Sequence, residues 1–158
     1  MKNQTKTNGE TNRILSEVAA QVLEGLTFTF VIPDGEEHTD GPCIGVTVNF
    51  KGPFIGRLVL RMPETLPALL AENMLAITPE EDDSEEARYD AARELANVIC
   101  GNLLPKIAGA EAVFNLQAPT IVKDEECLRK EISEDAAHVR LFLEEGWLEV
   151  FLDVAGEI

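Results

Sequence analysis

One stretch of this 158-residue chain carries residue types that its own local structure does not ask for. It reads Asp90-Ala-Ala-Arg-Glu-Leu-Ala-Asn-Val-Ile-Cys-Gly-Asn102. Wound at about 100° per residue, it puts Ala92, Leu95, Ala96, Ile99 and Leu103 on one apolar stripe. Asp90, Glu94, Asn97 and Gly101 then fall together on the opposite side. A solvent face chosen for stability would carry Lys, Glu and Gln, which are good helix formers. Asn is a poor one, and Gly costs about 1 kcal/mol relative to Ala in a helix interior. The chemistry open to this set is that of an acceptor carboxylate and, one turn on, a carboxamide that both donates and accepts.

The elements that must position these residues read as follows. Thr11 or Asn12 caps a first helix that runs to about Gly25, with Leu15, Val18, Ala19, Val22 and Leu26 on its stripe. Phe28 to Ile32 is rich in β-formers and stops at Pro33, which predicts a strand, and Asp34 to Pro42 is an acidic loop. Ile44–Phe50 and Ile55–Met62 alternate on either side of Lys51-Gly-Pro53 and predict a hairpin. Pro63 to Pro67 opens a short helix to about Leu75. Residues 78–86 form an acidic turn before the long helix, which Asp83 or Ser84 caps. After Pro105 come a strand over Ala112–Ala118, a polar stretch from Lys123 to Asp135, and a second hairpin, Val139–Leu143 with Trp147–Val154, around Glu144-Glu145-Gly146.

The order helix, strand, hairpin thus occurs twice, with an extra short helix between the copies. A shift of 77 lays Leu15, Val18, Ala19, Val22 and Leu26 on Ala92, Leu95, Ala96, Ile99 and Leu103. A shift of 86 lays Phe28-Thr-Phe-Val-Ile-Pro33 on Phe114-Asn-Leu-Gln-Ala-Pro119. The expected fold is therefore α+β with pseudo-two-fold symmetry, long helices packed on a mainly antiparallel sheet. The repeat also supplies a control. Glu94 corresponds to Glu17, but Asn97 corresponds to Ala20 and Gly101 to Glu24, so packing does not require an amide or a glycine on this face.

Bulk properties narrow the function classes. Residues 1–11 read as a flexible N-terminus and 12–158 as a single domain. A formal net charge of −16 argues against nucleic acid or an anionic membrane as partner. No apolar run approaches the roughly 18 residues of a membrane span, and the polar N-terminus does not read as a signal peptide. Cys43, Cys100 and Cys127 form neither a CxxC pair nor an even set, which suits a reducing, cytoplasmic setting. No metal-ligand set has convincing spacing. His38 and His138 lie apart, with structural roles expected, and acids are too abundant to support any paired-carboxylate proposal.

On Glu94-x-x-Asn97 followed by Gly101-Asn102, on the repeat, and on Ala118-Pro119-Thr120-Ile121-Val122, the chain resembles the CheC/CheX/FliY chemotaxis phosphatases. It resembles most the CheX-like branch, which keeps one such helix, the second. The resemblance implies a protein phosphatase that dephosphorylates the aspartyl-phosphate of a CheY-type response regulator. Asn97 would orient the hydrolytic water, as a glutamine does in GTPases. Glu94 would pair with a cation of the partner, and Asp90, Gly101 and Asn102 would be partner contacts. No cofactor of its own is implied, since the regulator supplies Mg²⁺, and a homodimer is expected. Bland readings stand beside each of these. Glu94 and Asn97 suit a solvated helix face, Gly101-Asn102 could loosen the helix before Pro105, and the fold could serve as a noncatalytic binding or assembly module. A small-molecule site is disfavoured because the distinctive residues should lie on a convex helix face.

Overall fold

The computed structural model describes residues 2–33, 41–76 and 84–155. α1 (Lys2–Val22) passes into a π-helical turn, Leu23–Thr27. The hairpin β1 (Cys43–Lys51) and β2 (Ile55–Pro63) follows, then α2 (Leu66–Leu75) and α3 (Glu85–Ala108). The second half holds β3 (Asn115–Leu116), β4 (Thr120–Val122), α4 (Glu125–Glu131) and the hairpin β5 (Ala137–Leu143) and β6 (Gly146–Ala155). The six strands form one antiparallel sheet in the order β3-β1-β2-β6-β5, with β4 also on β1.

Strand alternation decides which layer lies on which face. Ile44, Val46, Val48 and Phe50 of β1, Leu58, Leu60 and Met62 of β2, and Leu148, Val150 and Leu152 of β6 all enter the core. There they meet Leu15, Val18, Ala19 and Val22 of α1 and Leu95, Ala96, Ile99 and Leu103 of α3. Residues in register between these, Arg57, Arg61, Arg140 and Glu149 among them, face the other side, where α4 lies. Gly45 of β1 is what lets α4 approach, because a Cβ there would overlap the Leu128 side chain.

The repeat is visible as an exchange. β2 pairs with β6 at the centre, α1 of the first half packs on β5 of the second, and α3 of the second half packs on β1 and β2 of the first. The strand preceding each hairpin likewise turns to the other half's edge. β3 and β4 pair with β1, while Val31 forms a bridge with Leu143 of β5.

Several expectations need correction. The first helix begins at Lys2 rather than at a Thr11 or Asn12 cap, and the Asn12 side chain instead accepts from the His138 backbone N–H. Phe28–Ile32 is no full strand. Phe28 caps the π-helical turn with φ 56°, so only Val31 reaches a bridge, supported by the Ile32 N–H to Phe142 C=O bond. Ala112–Ala118 shortens to β3, and pairing resumes after Pro119 as β4. The long helix runs through Pro105 to Ala108. The polar Lys123–Asp135 stretch contains α4, with Asp124 accepting from the Glu126 N–H at its start. Both hairpins, α2 and the Ser84 cap, which accepts from the Ala87 N–H, agree with the reading above. The acidic segments 34–40 and 77–83 lie outside the described residues.

Candidate functional site

α3 is deeply packed along most of its length. It is held between α1 and α2 over the first hairpin, so its buried arc is wide: Ala91, Ala92, Leu95, Ala96, Ile99, Cys100, Leu103 and Leu104 are all buried. Alanines at four of its packed positions (87, 91, 92 and 96) let its neighbours approach closely. In the middle of the helix only a narrow strip is left outward, and it comprises Asp90, Glu94, Asn97 and Gly101. The residues singled out from sequence therefore do share one exposed face. Burial pushes the Cys100 thiol up to about 12, which makes it an inert core residue, and all three cysteines are free.

The members of the strip differ in how they are held. Asp90 pairs with Arg93 at 2.7 Å, and Arg93 also reaches Glu86 at 3.2 Å. Asn102 donates to the Val98 carbonyl at 2.7 Å, a bond within its own helix. Among the described residues, Glu94 and Asn97 make no side-chain hydrogen bond or ion pair. Gly101 is similarly unconstrained, since a Cβ there would meet nothing within 4 Å. One turn on, Pro105 lacks the N–H that would ordinarily bond the Gly101 carbonyl, so the strip ends in a helix turn with a donor missing.

The face is not simply convex, as the sequence suggested. Asp90, Arg93, Glu94 and Asn97 form one side of an open groove of about 520 Å³, completed by Leu26, Met74, Leu75 and Pro119. Leu26 comes from the π-helical turn and Met74 and Leu75 from the last turn of α2. Pro119 lies just before β4, whose far side is tied to α3. There Lys123 sits 5.0 Å from the centroid of the Tyr89 ring and pairs with Glu85. That pairing, more than any burial, holds the exposed Glu85 carboxyl below its ordinary range.

A second polar cluster, which the sequence reading missed, lies across the sheet. Glu149 of β6 is 3% exposed and is bonded by Arg61 at 2.5 Å, Arg140 at 3.1 Å and the His138 ring at 2.7 Å. Arg61 continues to Glu125 of α4 at 2.7 Å and lies over the Trp147 ring. Burial pushes the Glu149 carboxyl up, but the bonds from Arg61 and Arg140, with the Arg140 charge and His138, hold it below its ordinary value. One signal was readable: Glu149 alternates in register with Trp147 and Phe151, flanked by apolar residues in a strand whose one other acid, Asp153, lies toward its end. His138 has the structural role expected of it, bonded to Glu149 and stacked on Phe151 at 4.4 Å. Among the described residues no three His, Cys, Asp or Glu converge as a metal site, and no helix is long and apolar enough to cross a membrane.

Comparison with known proteins places this architecture. The chain is similar in fold to CheX of Borrelia burgdorferi, solved as a CheX–CheY–BeF₃–Mg²⁺ complex. The TM-score is 0.72 at 17% identity, over 91% of this chain and 97% of that one. CheX of Vibrio vulnificus gives a TM-score of 0.68 at 15% identity, covering 94% and 98%. FliY of Thermotoga maritima gives 0.63 at 17% identity, covering 99% and 91%. No curated protein matches the sequence. Residues 44–143 match the family described as chemotaxis phosphatase CheX, a span that contains the first hairpin from Ile44, the Glu94–Asn97 helix and β5, but not β6. The chain is a CheX-like member of the CheC/CheX/FliY family of chemotaxis phosphatases.

Proposed function

We propose that this protein is a cytoplasmic phosphatase that hydrolyses the aspartyl-phosphate of a CheY-type response regulator, with Glu94 and Asn97 as its working residues. The observation that carries the reading is that these two side chains, a turn apart on the exposed strip of α3, have no partner among the described residues. Around them, Asp90 and Asn102 are satisfied within their own helix. Family membership and the CheX–CheY complex of the Borrelia relative support the same partner class.

In this reaction a water oxygen attacks phosphorus in line with the bond to the aspartate oxygen. The P–O bond breaks, inorganic phosphate leaves, and the regulator's carboxylate is regenerated. The transition state is loose and makes little demand for a strong base, so positioning dominates the catalysis. The Asn97 carboxamide can accept from the water through its oxygen and donate to a phosphoryl oxygen through its nitrogen, with its own protonation unchanged. Glu94 pairs with a cation beside the phosphoaspartate and fixes where the amide lies. Mg²⁺ comes with the regulator. Gly101 leaves room for the partner's surface, with Asp90 and Asn102 at the edge of the contact.

A second reading, a noncatalytic assembly module, is favoured by one observation. Phe28 and Phe30 are 71% and 66% exposed on the segment that the Val31 bridge and the Ile32 N–H tie to the edge of β5. That edge is where a homodimer would form. Receiver domains loaded with a small phosphodonor separate the readings. Substoichiometric protein should release many equivalents of phosphate, whereas release at the receiver's autonomous rate would leave only the assembly role.

A further inference from the structure

The groove beside Glu94 and Asn97 owes its apolar wall to an element outside the repeat. α2 sits between the two copies, and its last turn brings Met74 and Leu75 to the groove. Leu66 and Leu70 of the same helix are fully enclosed in the core, yet Leu75 is 39% exposed, and Leu26 and Met74 are only partly covered. An apolar wall left in water directly against the polar strip carries a hydration cost that nothing among the described residues removes.

We propose that this wall is the specificity determinant for the regulator. Leu75 and Met74, with Leu26 and Pro119, receive an apolar side chain of the receiver domain that flanks its phosphoaspartate, while Glu94 and Asn97 engage the phosphoryl centre. The inference rests on the phosphatase reading, since it takes the receiver as occupant. Exposed charges such as Asp90, Arg93 and Glu94 steer an encounter but add little affinity. Affinity comes from an apolar anchor seated in a pocket and ringed by polar groups, which is the composition of this groove. An anchor there also draws the receiver down onto α3, which the Asn97 amide needs in order to reach an in-line water. The wall supplies binding shared by ground and transition states, and the amide supplies what is felt only in the transition state.

The test is a Leu75→Gln variant assayed in two ways against the CheY-type receivers of the same genome. Steady-state dephosphorylation should show KM raised about tenfold with kcat within about twofold, the signature of lost uniform binding. Affinity for the beryllofluoride-loaded receiver should fall by the same factor, a Leu75→Met variant should keep both, and thermal unfolding should be unchanged. If wild type is active and Leu75→Gln leaves KM and affinity alone, the wall has no such role and the phosphatase reading stands. If wild type binds the loaded receiver without hastening phosphate loss, the phosphatase reading fails, and weaker binding by Leu75→Gln still supports the wall. No binding by wild type overturns both.

Discussion

The two polar clusters of this protein lie on opposite sides of one sheet and are built on opposite plans. Behind the sheet, Glu149 is almost fully buried, and three side chains converge on its carboxylate. On the helical side, Glu94 and Asn97 stand outward with no partner among the described residues, beside a glycine that nothing crowds. A buried charge must be satisfied, or the fold loses the desolvation cost of leaving it unpaired. An exposed amide and carboxylate held out on a rigid helix carry no such obligation to their own chain. The first cluster therefore belongs to stability, and the second is the one the proposed function assigns to a partner.

The contrast is sharpest in what mutation should do. Glu149→Ala leaves Arg61 and Arg140 without their buried counter-charge and should destabilise the fold by roughly 3 kcal/mol in denaturant unfolding. Dephosphorylation by the molecules that remain folded should be unaffected. A merely exposed pair would cost under about 1 kcal/mol, and a loss that small would dissolve the distinction.

The same cluster should shape the acid limb of stability. The folded Glu149 carboxyl is held below its ordinary value of 4.5, so its contribution is complete above that pH. It is lost as pH falls through the folded value. Wild type should accordingly lose its advantage over Glu149→Gln only below about pH 4.5. A gap between the two proteins that widens on acidification would reverse the sign and refute the assignment.

The smallest effect should come from the other face. A Cβ at Gly101 meets nothing, so Gly101→Ala should stabilise the isolated protein by about 0.5–1 kcal/mol. Regulator turnover should fall all the same if, as proposed, the partner closes on the helix at Gly101. A gain in stability with undiminished turnover would assign Gly101 to the helix turn before Pro105 instead.

Much of this was legible in the chain. The hairpins follow from period-two alternation, α3 from its stripe and Ser84, and the repeat from Leu15 and Ala92 onward. Comparison of Ala20 with Asn97 already marked the outer face as one that packing does not specify. What escaped notice did so for physical reasons. Phe28–Ile32 has strand propensity, but the left-handed Phe28 aims the segment off the sheet, so only Val31 pairs. α4 hides in a charged stretch because Leu128 alone needs burial there. Pro105 reads as a stop, yet the helix continues past it to Ala108, with the exposed Gly101 at the position whose carbonyl loses its donor. Glu149 is one acid among many, and its burial depends on Arg61 and Arg140 arriving from two other strands. The apolar wall brings together Leu26, Met74, Leu75 and Pro119, residues remote in sequence that no local pattern unites.

Asn97→Ala, compared with wild type in single-turnover release of phosphate from a loaded CheY-type receiver, separates a positioned amide from a bystander. Its unfolding curve should match that of wild type. Its hydrolysis should fall about 100-fold or more, toward the receiver's autonomous rate, as expected when one positioned hydrogen-bonding group is removed. Near-normal hydrolysis by Asn97→Ala would remove Asn97 from the reaction.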